Sequence, residues 1–157
     1  MDEMIVALDK ALRSQKITYV VIGGIAASLH GRPRMTMDSD IVVVLEEIKV
    51  PEFIRTMKQQ GFSVTVSSEP KMIARLQRGG PVKLPIVSPE DLIVYKIARF
   101  DAIDQLDIQM ILARHSSKLD SRYMKSAATV LSEETDKKEI VENLLTVFRW
   151  MKKKTLS

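Results

Sequence analysis

A short β-branched run, Tyr19-Val20-Val21-Ile22, ends on Gly23-Gly24, and a second run, Ile41-Val42-Val43-Val44-Leu45, begins directly after Asp38-Ser39-Asp40. This order constrains the chain more than any other feature. Glycines at a strand end permit a tight turn into a helix, and the amides at a helix N-terminus favour negative charge such as phosphate. Two aspartates at i and i+2 of an extended segment project to one side and can share a divalent cation. A phosphate-holding turn beside a cation-holding pair describes a site for a nucleoside triphosphate. The plainer alternatives are a strand-to-helix turn that only connects and a polar entry into a strand.

The segments around these motifs set the fold class. Ile5, Leu8 and Leu12 recur at helical spacing and predict an amphipathic helix over about 3–14. A strand at 19–22, a helix of about two turns from Ile25 to His30 closed by Gly31, and the acidic strand at 41–45 follow. Arg32-Pro33-Arg34 reads as connecting loop. Pro51 to Gln60 predicts a helix ending before Gly61, and Phe62 to Val66 alternates like a third strand. Ile73–Arg78 and Val82–Val87 pair as a hairpin around Gly79-Gly80, or form a short helix and one strand; the hairpin is the preferred reading. Ser88-Pro89-Glu90-Asp91 carries an N-cap, a proline at the first helical position and an acid placed for a capping box. Helical patterns then run over about 101–114, 120–132 and 136–153.

A sheet-bearing first part, about 18–88, followed by a helical part, about 89–157, is the pattern of an α+β or mixed α/β fold: a small twisted mixed sheet with flanking helices, then a C-terminal helical cluster. With 157 residues, 45% of them apolar and 28% charged, the expectation is one domain over 1–157. The chain has no cysteine, which excludes disulfides, thiolate metal sites and a cysteine nucleophile. No apolar run approaches the ~18 residues that span a bilayer, and Asp2 and Glu3 replace a basic leader, so a cytoplasmic protein without membrane contact is expected.

The net charge of +4 arises wholly from Lys137 onward, where six basic residues face two acidic ones. Such a tail can track a nucleic-acid backbone, or simply be a solvated helix end complementing the macrodipole.

Gly23-Gly24, the Ala26 to Gly31 helix, Arg34, Thr36 and Asp38-Ser39-Asp40 resemble the signature of the DNA polymerase β-like nucleotidyltransferase superfamily, and more narrowly its minimal nucleotidyltransferases. Ser88-Pro89-Glu90-Asp91-Leu92, Lys96 and Asp104-Gln105-Leu106-Asp107-Ile108 are similar to downstream motifs of the AbiEii/AbiGii-type toxin nucleotidyltransferases. The resemblance covers about 18–112. It implies a nucleotide lying on Gly23-Gly24, approached by Ser28, Arg34 and Thr36, and Mg²⁺ (or Mn²⁺) held by Asp38 and Asp40. Lys96 would bring positive charge to the triphosphate, with Asp107 as its acidic partner. The implied reaction moves a nucleoside monophosphate from a nucleoside triphosphate to a hydroxyl of RNA (tRNA included) or protein, releasing pyrophosphate. An antitoxin is an implied partner.

One departure bears on activity. Many members carry a third carboxylate on the strand after the acidic one, whereas Phe62–Val66 holds no acid and Glu69 is the one acidic residue from there to Ser88. Either Glu69 or Asp107 completes the metal site, or two carboxylates suffice, or the chain is a catalytically reduced member that binds nucleotide or a partner, which is the alternative function. Simpler roles also stand beside the implied ones: packing for Ser28, a charged turn for Arg34, an exposed position for Lys96, and a solvated helix face for Asp104 and Asp107 with Asp101 as N-cap. His30 and His115 read as structural, and Tyr123, Phe148, Trp150 and the methionines as packing residues.

Overall fold

The amphipathic spacing at the N-terminus forms α1 (Glu3–Ser14), which buries Ile5, Leu8 and Leu12. The chain is seen in a computed structural model in which residues 3–33, 35, 40–44, 49–59, 61, 76–79 and 84–154 are described. The expected strand at 62–66 and the metal candidates Asp38 and Glu69 lie outside these residues, as do Arg34 and Thr36. Tyr19 donates its hydroxyl to Asp9 of α1, and Arg13 bonds the same carboxylate at 2.6 Å, so the helix is tied to the first strand by polar contacts as well as by packing.

Strands β1 (Thr18–Val21), β2 (Ile41–Val44), β3 (Leu76–Gly79) and β4 (Leu84–Val87) form a mixed sheet of order β2-β1-β4-β3. β1 pairs antiparallel with β2, in the register Val21↔Ile41 and Thr18↔Val44. It pairs parallel with β4 through Val21↔Ile86, and β4 pairs antiparallel with β3 from Leu76↔Val87 to Gly79↔Leu84. Within the described residues 76–79 and 84–87 pair antiparallel, as the preferred hairpin reading expected, although Gly79 falls in the strand and not at the turn. This topology decides where the site lies: β1 and β4 run the same way and both hand over to helices, so α2 (Gly23–His30) and α4 (Pro89–Ile97) start at one edge of the sheet. The antiparallel β2 begins at that same edge, immediately after Asp40.

α3 (Val50–Gln59) turns its buried Met57 inward and ends before Gly61, whose φ of +85° needs a residue without a side chain. The helical part comprises α5 (Ala102–His115), α6 (Ser121–Thr135) and α7 (Glu139–Lys154), and it packs around α4. α4 is buried along nearly its whole length, with Leu92, Ile93, Val94 and Ile97 in the core beside Ile108, Ile111, Met124, Ile140 and Leu144.

A helix enclosed on all sides must satisfy its polar groups internally, since burying an unpaired one costs ~1–3 kcal/mol. Ser88 accepts the Asp91 N–H at 3.0 Å and donates its own hydroxyl to Asp91 at 2.7 Å, so the cap forms as expected. Tyr123 of α6 donates to the other Asp91 oxygen, and Glu90 accepts the Asp120 N–H at 3.2 Å where α6 begins. Among the described residues no buried side-chain nitrogen or oxygen lacks a hydrogen-bond partner.

Candidate functional site

The glycine turn and the acidic strand entry do converge. Gly23 opens α2 with φ +63°, and a Cβ built on it would sit 1.9 Å from Asp40 Oδ2 and 2.9 Å from Asp40 Cβ. A side chain at position 23 is thus excluded twice, by the left-handed backbone and by the carboxylate resting on its Cα. The backbones are joined as well, the Ile22 N–H donating to the Asp40 carbonyl at 2.9 Å. Among the described residues no side chain caps the first turn of α2, whose N-cap is the apolar Ile22. The Asp40 carboxylate is exposed and makes no side-chain hydrogen bond or ion pair within the described residues. The helix begins two residues earlier than the sequence suggested, so that Gly23 and Gly24 are its first residues and both are buried. Ser28 lies one turn further along α2, half-buried.

Lys96 is elsewhere and differently made. Only 4% exposed, its ammonium lies 2.8 Å from Asp104 Oδ1 and 2.8 Å from Asp107 Oδ2, both on the facing helix α5. The alternatives of an exposed lysine and a solvated acidic face are overturned, because Asp104 and Asp107 are 3% and 5% exposed. They are buried because α5 docks on α4 and the ammonium offsets their charge. Arg99 closes the cluster from outside, its Nε 3.0 Å from Asp104 and 2.9 Å from Asp101. The bond to Asp104 raises the pKa of Arg99 further. Asp101 is the N-cap of α5, accepting from Ile103 and Asp104 at 2.9 Å each, and the Asp104 N–H holds its carboxyl below the usual value. Arg99 escaped the sequence reading; its spacing of three from Lys96 was the available signal.

A third group ties the far end of α2 to α5. Arg114 donates to the Gly31 carbonyl at 2.7 Å, and His115 Nε2 donates to the His30 carbonyl at 3.0 Å. His30 Nε2 lies 2.6 Å from the Val87 carbonyl, so that nitrogen carries the proton, and the two imidazoles meet edge to face at 5.6 Å. Burial pushes the His30 pKa down, against the opposing pull of the Val87 bond. Both histidines are structural, as expected. Gly31 lets the helices approach, since a Cβ there would stand 3.0 Å from Met110 Cβ.

The structure therefore brings Gly23, Gly24 and Asp40 to one sheet edge and groups Lys96 with Asp107 in the helical core. Among the described residues no three histidine, aspartate or glutamate side chains gather as a metal cluster. The donors that are in view suit a hard cation: Asp40 offers oxygen, and Mg²⁺ binds through one or two carboxylates plus phosphate oxygens and water.

The α+β fold thus sets a glycine-led helix start against an exposed aspartate at one end of the sheet. The chain belongs to the family described as "Nucleotidyltransferase of unknown function (DUF6036)", whose match covers residues 1–156. No curated protein matches the chain. No helix among the described residues is long and apolar enough to cross a membrane.

Proposed function

We propose that the protein is a metal-dependent nucleotidyltransferase that moves a nucleoside monophosphate from a nucleoside triphosphate onto a hydroxyl of RNA or protein. The observation that carries this reading is the Asp40 carboxylate lying on Gly23 at the start of α2, without a hydrogen-bond or ion-pair partner among the described residues. Asp38 and Asp40 would hold Mg²⁺ or Mn²⁺, which when bound supplies charge neutralisation to the phosphates. The amides of Gly23 and Gly24 bind and orient the polyphosphate, because a helix N-terminus without a side-chain cap offers free donors to an anion. Ser28, Arg34 and Thr36 are assigned to the same nucleotide. The acceptor oxygen forms a bond to the α-phosphorus, the bond from that phosphorus to the β-phosphate oxygen breaks, and the hydroxyl proton passes to solvent. Most of the catalysis is positioning and charge stabilisation.

Lys96 and Asp107 act in this reading by fixing α4 against α5 and not by touching the nucleotide, since the Lys96 ammonium already bonds two carboxylates. A cytoplasmic setting, kinship with AbiEii-type toxins and an antitoxin partner belong to the same reading. Growth arrest on expression, relieved by Asp40→Asn, is the outcome expected of a toxin.

The decisive experiment incubates the protein with Mg²⁺ and each α-labelled nucleoside triphosphate, with total RNA or protein, beside Asp38→Ala and Asp40→Asn. Label transferred by the wild type and lost in both variants supports the enzyme. An inert wild type that still binds nucleotide would leave the catalytically reduced member as the better description.

A further inference from the structure

The helical part carries a groove of about 530 Å³ that the nucleotide site does not use. One wall is α7, where Leu145, Phe148 and Met151 present apolar surface and Arg149 and Lys152 present charge. The opposite wall is polar, made by Ser116 at the end of α5 and Ser121 at the start of α6. Arg149 and Lys152 are exposed, and neither forms an ion pair or side-chain hydrogen bond within the described residues. Asp120, next to Ser121 in the chain, is the N-cap of α6 and accepts the Tyr123 N–H at 2.9 Å.

We infer that this groove binds single-stranded nucleic acid, with a base against Phe148 and its neighbours and the flanking phosphates on Arg149 and Lys152. The volume lies within the range of small-molecule sites and admits one nucleotide. A positive groove with an aromatic wall is how proteins hold single strands without reading sequence. The two serine hydroxyls complete it as donors to phosphate or sugar oxygens. A second copy of the chain is disfavoured, because a symmetric contact here sets Arg149 and Lys152 against their own images. An amphipathic helix from a partner is disfavoured too, since its apolar face would meet the serine wall. The groove lies toward the end of α2 away from the nucleotide site: Ser116 follows His115, which holds the C-terminal end of α2, and Gly23 is about 12 Å further along that helix. If RNA is the acceptor, as the enzyme reading allows, the groove is where its strand is held; binding itself does not depend on that reading.

The test measures fluorescence polarisation of short labelled RNA and DNA oligonucleotides, with no nucleoside triphosphate or Mg²⁺ present, so that failure of catalysis does not enter. Arg149→Gln/Lys152→Gln is compared with wild type and with Lys137→Gln/Lys138→Gln, a charge-matched change at exposed positions before α7. Thermal melts followed by circular dichroism check that each variant folds. The groove variant should lose about tenfold or more in affinity, and its salt slope should shrink by about 1.4, the value for two single-strand phosphate contacts. The control pair should stay close to wild type, and Phe148→Leu should cost about tenfold while leaving the salt slope unchanged. Equal losses in the two charge variants, or no binding by the wild type, would overturn the inference. Polyglutamate bound as tightly as RNA would replace it with an acidic protein partner.

Discussion

Asp40 and Asp104 are the same side chain in opposite circumstances. Asp104 is 3% exposed and held by Lys96 at 2.8 Å and Arg99 at 3.0 Å, while Asp40 stands in solvent against a glycine with no partner among the described residues. Taking a carboxylate out of water costs several kcal/mol, so a buried one exists only with its counter-charges in place and is not free for a ligand. An exposed, unpaired one keeps its charge available to a cation. The charges of Lys96, Asp104 and Asp107 thus fix how α4 meets α5, whereas Asp40 at the sheet end is exposed to solvent.

The largest expected effect is at the buried cluster. Lys96→Met leaves two carboxylates without their shared cation and should cost ~3–5 kcal/mol in urea unfolding. Adding Asp104→Leu and Asp107→Leu to it should recover much of that loss. A small loss for Lys96→Met alone would break the distinction between the two regions. Gly23→Ala comes next, at ~1–2 kcal/mol for a left-handed residue, and it should also displace Asp40 and lower nucleotide affinity in calorimetry. Removing the cap with Ser88→Ala should cost about 1 kcal/mol, read as a shift in urea midpoint.

A smaller effect is tied to pH. Burial lowers the His30 pKa, and the ring is faced by His115, Arg114 and Glu90. The fold therefore favours neutral His30, a contribution present above the unfolded value of ~6.5 and lost as pH falls through the lower folded value. The urea midpoint should drop on acidification below about pH 6.5, and His30→Gln should flatten that slope. The smallest stability change belongs to Asp40→Asn, within about 0.5 kcal/mol, even though the same substitution should remove transfer activity. A large loss of stability there would show that Asp40 serves the fold.

Much of the fold was legible because local rules and burial agree. The spacing of Ile5, Leu8 and Leu12 marked α1, and the Ser88-Pro89 start marked α4, since periodicity and capping act over a few residues. The site was legible in part: Gly23 and Asp40 suggested each other by type and order, whereas Asp38, Arg34 and Thr36 fall outside the described residues. Asp107 as the acidic partner of Lys96 is found, whereas the exposed alternatives for Lys96, Asp104 and Asp107 fail. Each lies on a helix whose composition looks half-exposed, and nothing local reveals that α5 closes over α4.

What the sequence determined by itself was where most helices lie, which residues carry charge, and that a glycine turn ends β1, because those follow from backbone geometry and neighbouring residues. What only the tertiary structure decided was which charges are spent on one another. Pairing in parallel through Val21↔Ile86 sets α2 and α4 at one sheet edge and leaves Asp40 on Gly23, while docking of α5 dehydrates Asp104 and Asp107 against Lys96. The physical reason is that the cost of a charge depends on the water around it, and that water is removed by parts of the chain distant in sequence.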